Sequence, residues 1–342
     1  MQTVNVYADR CSRIRHKLSA CALCESNCPA GAIKVGEVGS NIKIDWQRCT
    51  RCGICINLCP VGVFGLRETT YRTLLKNLTD NIADNKLHIA CHNSQLECPK
   101  IECMGILGVA DILHLYTNGA QKLTLSYASD CETCQNRYGV ALLNDELTEL
   151  ENIAPHFELL AGMQITHATG ETTIKFTEKF PSEAQTKQQN KDVLPVSRRR
   201  LFAQAYKDAA TAVVKGATPF VPQVSEGRTV FSTQKEVPIK RQIFLEALAK
   251  CGQVIKREIK TGAYFYSQTI ADTCTLCKVC TRFCTTGALH LNDDETALVF
   301  NASKCVSCGM CVTACYHHFI KTSKTTDLGT FWLKLETKRK PH

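Results

Sequence analysis

The spacing of the cysteines constrains this chain more than any other feature of it. Cys274, Cys277, Cys280 and Cys284 are followed by Cys305, Cys308, Cys311 and Cys315, so C-x2-C-x2-C-x3-C occurs twice in succession. A cubane iron–sulfur cluster needs four thiolates around it. A loop with x2 spacings turns three inward, and the fourth comes from the partner motif, which cross-braces two clusters. On that logic Cys274, Cys277, Cys280 and Cys315 hold one 4Fe–4S cluster, and Cys305, Cys308, Cys311 and Cys284 hold another. Structural zinc is the competing reading, although zinc sites favour two separated C-x2-C pairs. Disulfides fit less well, because cysteines packed this closely strain against bridge geometry.

The same device recurs near the N-terminus. Cys49, Cys52, Cys55 and Cys59, with Pro60, form a full motif, and Cys21, Cys24 and Cys28, with Pro29, form a damaged one. Leu18 stands where the first cysteine belongs, and Cys11 is the substitute. The expected sets are Cys11, Cys21, Cys24 and Cys59 for one cluster, and Cys49, Cys52, Cys55 and Cys28 for the other. The alternative leaves Cys11 an unrelated thiol and the site with a labile 3Fe–4S cluster or none. Between the motifs, Ala32-Ile33-Lys34-Val35 and Ile42-Lys43-Ile44 alternate like short strands.

Both ends of the chain resemble bacterial-type two-cluster ferredoxin modules. That resemblance implies two 4Fe–4S clusters in each module, held on a short ββ-plus-helix repeat. It departs from the family at Thr285 and Tyr316, where proline is usual, while Gly287-Ala288-Leu289 fits.

The expected fold class is α+β, with ferredoxin-like dicluster modules at both termini flanking a small α/β (βαβ) domain. The modules span 1–68 and 264–325, the connector helix and cysteine-rich α/β domain 69–180, a linker with basic and amphipathic helices 181–263, and a basic tail 326–342. Leu74, Leu75, Leu78 and Ile82 lie at helical spacing in the connector. Leu87-His88-Ile89-Ala90, a helix from Ile106 to Tyr116 stopped by Asn118-Gly119, and Leu123 to Tyr127 read as strand, helix and strand. Cys91, Cys98, Cys103, Cys131 and Cys134 then fall at the strand C-termini, where open parallel sheets place their sites. From Cys103-Met104-Gly105 to Asp130-Cys131 the order is similar to the small iron–sulfur subunit linking hydrogenase to heterodisulfide reductase. That family binds a 2Fe–2S cluster, with a further cysteine near the position of Tyr127; here Cys134 is extra. A fifth site on Cys91, Cys103, Cys131 and Cys134 follows, with Cys98 competing with Cys103, and with zinc or free thiols as alternatives. His88 and His92 lie near enough to serve but read as ordinary residues.

Ile165 to Ala168 and Thr173 to Phe176 read as a hairpin. Residues 181–196 are the linker. Ser197-Arg198-Arg199-Arg200-Leu201-Phe202 is similar to a twin-arginine export motif, but it is internal and the apolar stretch from Ala209 to Val214 is short. It reads as a basic amphipathic helix packing Leu201, Phe202 and Ala205. Pro219, Pro222 and Pro238 bound an extended segment. Residues 239–251 form a helix with Ile243, Phe244 and Leu248 inward and Cys251 a buried thiol at its end. Lys338-Arg339-Lys340 reads as a solvated tail.

Twenty-two cysteines in a 342-residue chain with these runs point to metal in a reducing compartment. Met1 to Arg15 contains no apolar signal core, and no run reaches membrane-span length, so a cytoplasmic location is expected. The formal charge is +9, but each oxidised cluster with its four thiolates carries about −2, bringing four-cluster protein to roughly +1. The basic excess therefore compensates cluster charge, and no aromatic–basic interleaving suggests nucleic acid. There is no phosphate loop, no Ser/His/Asp set and no flavin or nicotinamide fingerprint. The leading expectation is an electron-transfer subunit between a cytoplasmic redox enzyme, formate dehydrogenase- or hydrogenase-like, and another carrier. The alternatives are a thiol/disulfide enzyme using the central site through Cys98 or Cys103, and a non-redox iron–sulfur or zinc scaffold.

Overall fold

The computed structural model describes residues 4–66, 68–128, 131, 133–168, 173–175 and 235–337. The first module runs β1 (Asn5–Val6), α1 (Ser12–Arg15), α2 (Leu23–Ser26), β2 (Ile33–Val35), β3 (Ile42–Ile44), α3 (Ile54–Leu58) and β4 (Phe64–Gly65). β2 and β3 form an antiparallel hairpin, and β4 returns to pair antiparallel with β1. Strand periodicity explains the hairpin: Ile33, Val35 and Ile42 are buried while Lys34 and Lys43 are exposed.

The central region follows, with α4 (Glu68–Thr79), β5 (Lys86–Cys91), β6 (Lys100–Ile101), α5 (Val109–Thr117), β7 (Lys122–Ser126), α6 (Gly139–Ile153), β8 (Gln164–Ala168) and β9 (Thr173–Lys175). These strands make one sheet in the order β6-β5-β7-β8-β9. β6, β5, β7 and β8 are parallel to their neighbours, and β9 is antiparallel to β8. The stretch expected as a separate hairpin is thus joined to the central sheet through β8. α5 starts where the Asp111 carboxylate accepts the Gly108 N–H at 2.9 Å and stops at Gly119, whose φ of +115° turns the chain out of the helix.

α5 is buried over most of its surface, from Val109 to Tyr116. A helix that apolar needs cover on both sides, and α7 (Ile239–Leu248) supplies it by packing along α5. Ile243, Phe244 and Leu248 face inward, and Cys251 is fully buried beyond the helix.

The second module repeats the plan of the first. After β10 (Glu258–Lys260) come β11 (Gln268–Ile270), α8 (Val279–Phe283), β12 (Leu289–Leu291), β13 (Leu298–Asn301), α9 (Met310–Ala314), β14 (Ile320–Thr322), β15 (Thr325–Asp327) and β16 (Lys334–Thr337). β11–β14 is the outer pair and β12–β13 the inner hairpin. The basic tail expected from residue 326 is corrected as far as 337. β15 pairs with β10, β16 extends the β12–β13 hairpin, and Leu328 and Phe331 are buried between them. Burial of these two apolar side chains anchors the segment. The linker 181–196, the Ser197–Phe202 helix, Ala209 to Val214, Pro219, Pro222, Asp130 and the Lys338–Lys340 tail lie outside the described residues.

The two modules and the central region are not beads on a string. One apolar core extends from Ala8 and Ile14 through Leu87 and Ile112 to Phe265 and Phe331. Arg241 stitches it from within: its guanidinium donates to the carbonyls of Ser303, Tyr264 and Ala302 at 2.8, 2.6 and 3.1 Å. Burial lowers its pKa to about 10, so it stays charged at neutral pH.

Candidate metal centres

The three complete motifs share one backbone device. Within them, Arg51 and Gly53, Leu276 and Lys278, and Ser307 and Gly309 take left-handed conformations, with φ between 54° and 78°. Each pair reverses the chain on either side of the middle cysteine, and a five-residue helix then starts before the third. The fourth cysteine caps that helix at its C-terminal end. Only glycine takes such angles without strain, so Arg51, Leu276, Lys278 and Ser307 are held there by what surrounds them.

The damaged motif is built differently. Residues 22–27 all keep negative φ, and the loop is replaced by α2 behind Cys21. Leu18, at the vacant position, is 51% exposed, whereas Cys11 is 7% exposed. Cys11 sits where a short turn at Ala8–Arg10 meets α1, so its thiol points into the module. Burial raises it, opposed by the backbone N–H groups of Ile14 and Arg13, with Cys21 as a thiol neighbour and the Arg13 cation close by.

The thiols gather in sets. Burial, reinforced by Cys59, Cys21 and Cys11, raises Cys24. Burial raises Cys59 to about 12, with Cys21 and Cys11 adding to it. Cys52 is raised by burial, with Cys28 and Cys49 beside it. Cys55 is raised by burial, with Cys52, Cys49, Cys24 and Cys28 around it. In the second module, burial raises Cys280 to about 12, next to Cys315, Cys274 and Cys277. Cys305 and Cys311 are raised by burial, each beside Cys308 and Cys284. Across the modules, Cys308 has Cys21 as a neighbour.

These sets fit iron–sulfur clusters in their chemistry. None of the 22 cysteines forms a disulfide. Among the described residues no three His, Cys, Asp or Glu side chains converge as a single-ion site. Cys284, Cys305, Cys308 and Cys311 line one common pocket. Backbone N–H groups already point at sulfur: Ala32 at Cys28 and Val63 at Cys59, both at 3.3 Å, and Leu289 at Cys284 at 3.4 Å. Such donors favour the charged sulfur. Thr285 Oγ1, Ser307 Oγ and Gln268 Nε2 are buried with no hydrogen-bond partner. Thr285 lines the cavity, Ser307 lies inside the Cys305–Cys308 loop, and Gln268 Oε1 is 3.1 Å from Cys311 Sγ. Cluster sulfur would give these polar groups the partner they lack.

The central cysteines lie at the C-terminal edge of the parallel strands. Burial raises Cys103 to about 12, with Cys52, Cys131 and Cys134 as thiol neighbours. Cys134 Sγ accepts from Asn136 N–H and Asn93 Nδ2, both at 3.4 Å. Asn136 Oδ1 in turn accepts from the Thr50 hydroxyl at 2.6 Å, which ties this edge to the first module. Position 139, where α6 begins, suits glycine, because a Cβ there would stand 2.2 Å from Cys103 Sγ. Cys91 ends β5. Cys98 lies beside Lys100, which partly offsets the burial that raises it. His88 is engaged with Ser126 Oγ at 2.8 Å, and His92 with the Glu102 carbonyl at 2.6 Å.

Sequence reasoning misses Thr50, Asn136, Lys240 and Arg241. A polar residue near a cysteine motif is a signal, but which atom it meets is not encoded in spacing.

Residues 19–63 match a 4Fe-4S dicluster domain family, and residues 268–316 match a second 4Fe-4S dicluster domain family. The chain therefore carries two 4Fe–4S dicluster ferredoxin domains, one near each end, with a mixed α/β region between; two such domains imply up to four 4Fe–4S clusters. Among curated relatives, it is 47% identical over 47 residues to a subunit of the ion-translocating oxidoreductase complex of Methanosarcina acetivorans. It is 49% identical over 46 residues to pyruvate synthase subunit PorD of Methanocaldococcus jannaschii. Each match covers 14% of this chain, and they cover 17% and 52% of the respective relatives. No helix among the described residues is long and apolar enough to cross a membrane.

Proposed function

We propose that this chain is the relay subunit of a larger redox assembly, linking a cytoplasmic enzyme of formate dehydrogenase or hydrogenase type to another carrier. The observation that carries this reading is the unbroken succession of thiol sets. Cys103 neighbours Cys52, Cys55 neighbours Cys24, Cys21 neighbours Cys308, and Cys311 neighbours Cys280. Both relatives are named as subunits of oxidoreductase or synthase complexes, which supports a catalytic centre on another chain.

The proposed ligand sets are Cys11, Cys21, Cys24 and Cys59; Cys28, Cys49, Cys52 and Cys55; Cys284, Cys305, Cys308 and Cys311; and Cys274, Cys277, Cys280 and Cys315. A fifth centre is proposed at Cys91, Cys103, Cys131 and Cys134, with Cys98 competing. When bound, a 4Fe–4S cluster supplies a one-electron couple tuned by charge, exposure and hydrogen bonds to sulfur. The protein's part is to bury the inner sulfurs, aim N–H groups at them, and leave one set near solvent. Cys277 is exposed, which suits exchange with a partner at the outer end of the second module.

The thiol-enzyme alternative is weakened by the state of its nucleophiles. Cys103 is pushed to about 12 by burial and Cys98 is also raised, so neither is a ready thiolate at neutral pH. The test is iron, sulfide and zinc content of anaerobically purified protein, with EPR of the reduced form. Four clusters require ~16 iron per chain, and a fifth raises this to ~18–20. Several reversible couples without turnover support the relay. Near 12 iron would remove the Cys11 set, and zinc replacing iron throughout would end the proposal.

A further inference from the structure

The end of α1 reaches from the first module to the second. Arg15 donates from Nη2 to the Arg282 carbonyl at 2.6 Å and from Nη1 to the Asp9 carbonyl at 3.0 Å. Its neighbour His16 meets Phe283 edge-on, with ring centroids 4.7 Å apart. Arg282 and Phe283 close α8 immediately before Cys284. The guanidinium lies in the field of Asp9, Cys284 and Cys308, and Cys308 is the sulfur that neighbours Cys21 of the other module. Arg15 therefore stands at the junction of the inner thiol sets of the two modules.

Arginine suits that position. It keeps its charge where lysine is readily neutralised by burial, and its planar fork is fixed here by two backbone carbonyls. Burial works against the charge, and Asp9, Cys284 and Cys308 work for it. A fixed, partly buried cation is weakly screened by salt and favours the more negative, reduced state of a nearby centre. The Asp9 carboxylate opposes this in part, without contact to the second module in the hydrogen bonds above.

We propose that Arg15 is a positioning residue that locks the two modules together and raises the reduction potential of the centre assigned to Cys284, Cys305, Cys308 and Cys311. This rests on the relay reading. Arg15→Gln and Arg15→Lys are compared with the wild type in the full-length, anaerobically purified protein, by iron and sulfide content and by potentiometric titration followed by EPR. With iron content unchanged, Arg15→Gln is expected to lower the midpoint of one centre and leave the others in place. At that centre's wild-type midpoint, its reduced-to-oxidised ratio falls about tenfold, a shift of 59 mV for one electron. Arg15→Lys retains a cation that burial partly neutralises, without the planar fork, and shows a smaller shift of the same centre. Unmoved midpoints in Arg15→Gln, a common shift of all centres, or loss of iron from both variants overturns the proposal. Should Arg15→Gln alone shed iron, Arg15→Lys decides: a shift confined to one centre supports the role, and no shift or a general one overturns it. A wild type without iron or reversible couples would instead overturn the relay reading, before the variants are compared.

Discussion

At the scale of single residues, Cys11 and Leu18 divide one task between them. Leu18 occupies the position of a missing ligand and faces solvent, while Cys11 is buried beside Cys21. If Cys11 completes that set, Cys11→Ala leaves three thiols there. Iron is then expected to fall by about one per chain, and the oxidised protein to gain a 3Fe–4S EPR signal. Unchanged iron and spectra would remove Cys11 from the ligands. The thiol pKa values bear on loading as well. Burial holds Cys59, Cys280 and Cys308 near 12, so at neutral pH these thiols keep their protons until metal displaces them.

At the scale of elements, α7 joins parts of the chain that are far apart in sequence. Lys240 donates to Asp111 Oδ2 at 2.8 Å, to Asn57 Oδ1 at 3.0 Å and to the Ile106 carbonyl at 2.6 Å. The Asp111 side chain is 1% exposed, and its other oxygen accepts from the Tyr71 hydroxyl. Lys240→Met would leave a buried carboxylate without its cation, at a cost of about 3 kcal/mol. The expected result is a clear drop in melting temperature of the anaerobic holoprotein, partly recovered by adding Asp111→Asn. An unchanged melting temperature in Lys240→Met would mean the pair contributes nothing net. Helical spacing alone places Ile243, Phe244 and Leu248 inward. It does not place Lys240 or Arg241, because a basic residue beside an apolar stripe ordinarily faces water, and only the packed carbonyls of other segments make burial tolerable.

At the scale of the whole molecule, the terminal modules depend on what they hold. Their strands are two to four residues long and the helices of their complete cysteine motifs are five residues long, below the length at which either stands alone. Anaerobic iron chelation is expected to open residues 19–63 and 268–316 to protease while the sheet of residues 86–168 stays protected. Simultaneous loss of all three would mean that the shared core binds them into one cooperative unit. The sequence by itself determined the loops: x2 spacings, the β2–β3 hairpin and the stop at Gly119 follow from local chain geometry, which acts over a few residues. Tertiary structure alone decided that Cys11 turns inward, that β8 joins the central sheet, that residues 325–337 complete the second module, and that Arg15 meets Arg282. Those juxtapositions come from apolar faces distributed along the chain packing into one core, and no local spacing carries the sum of that packing.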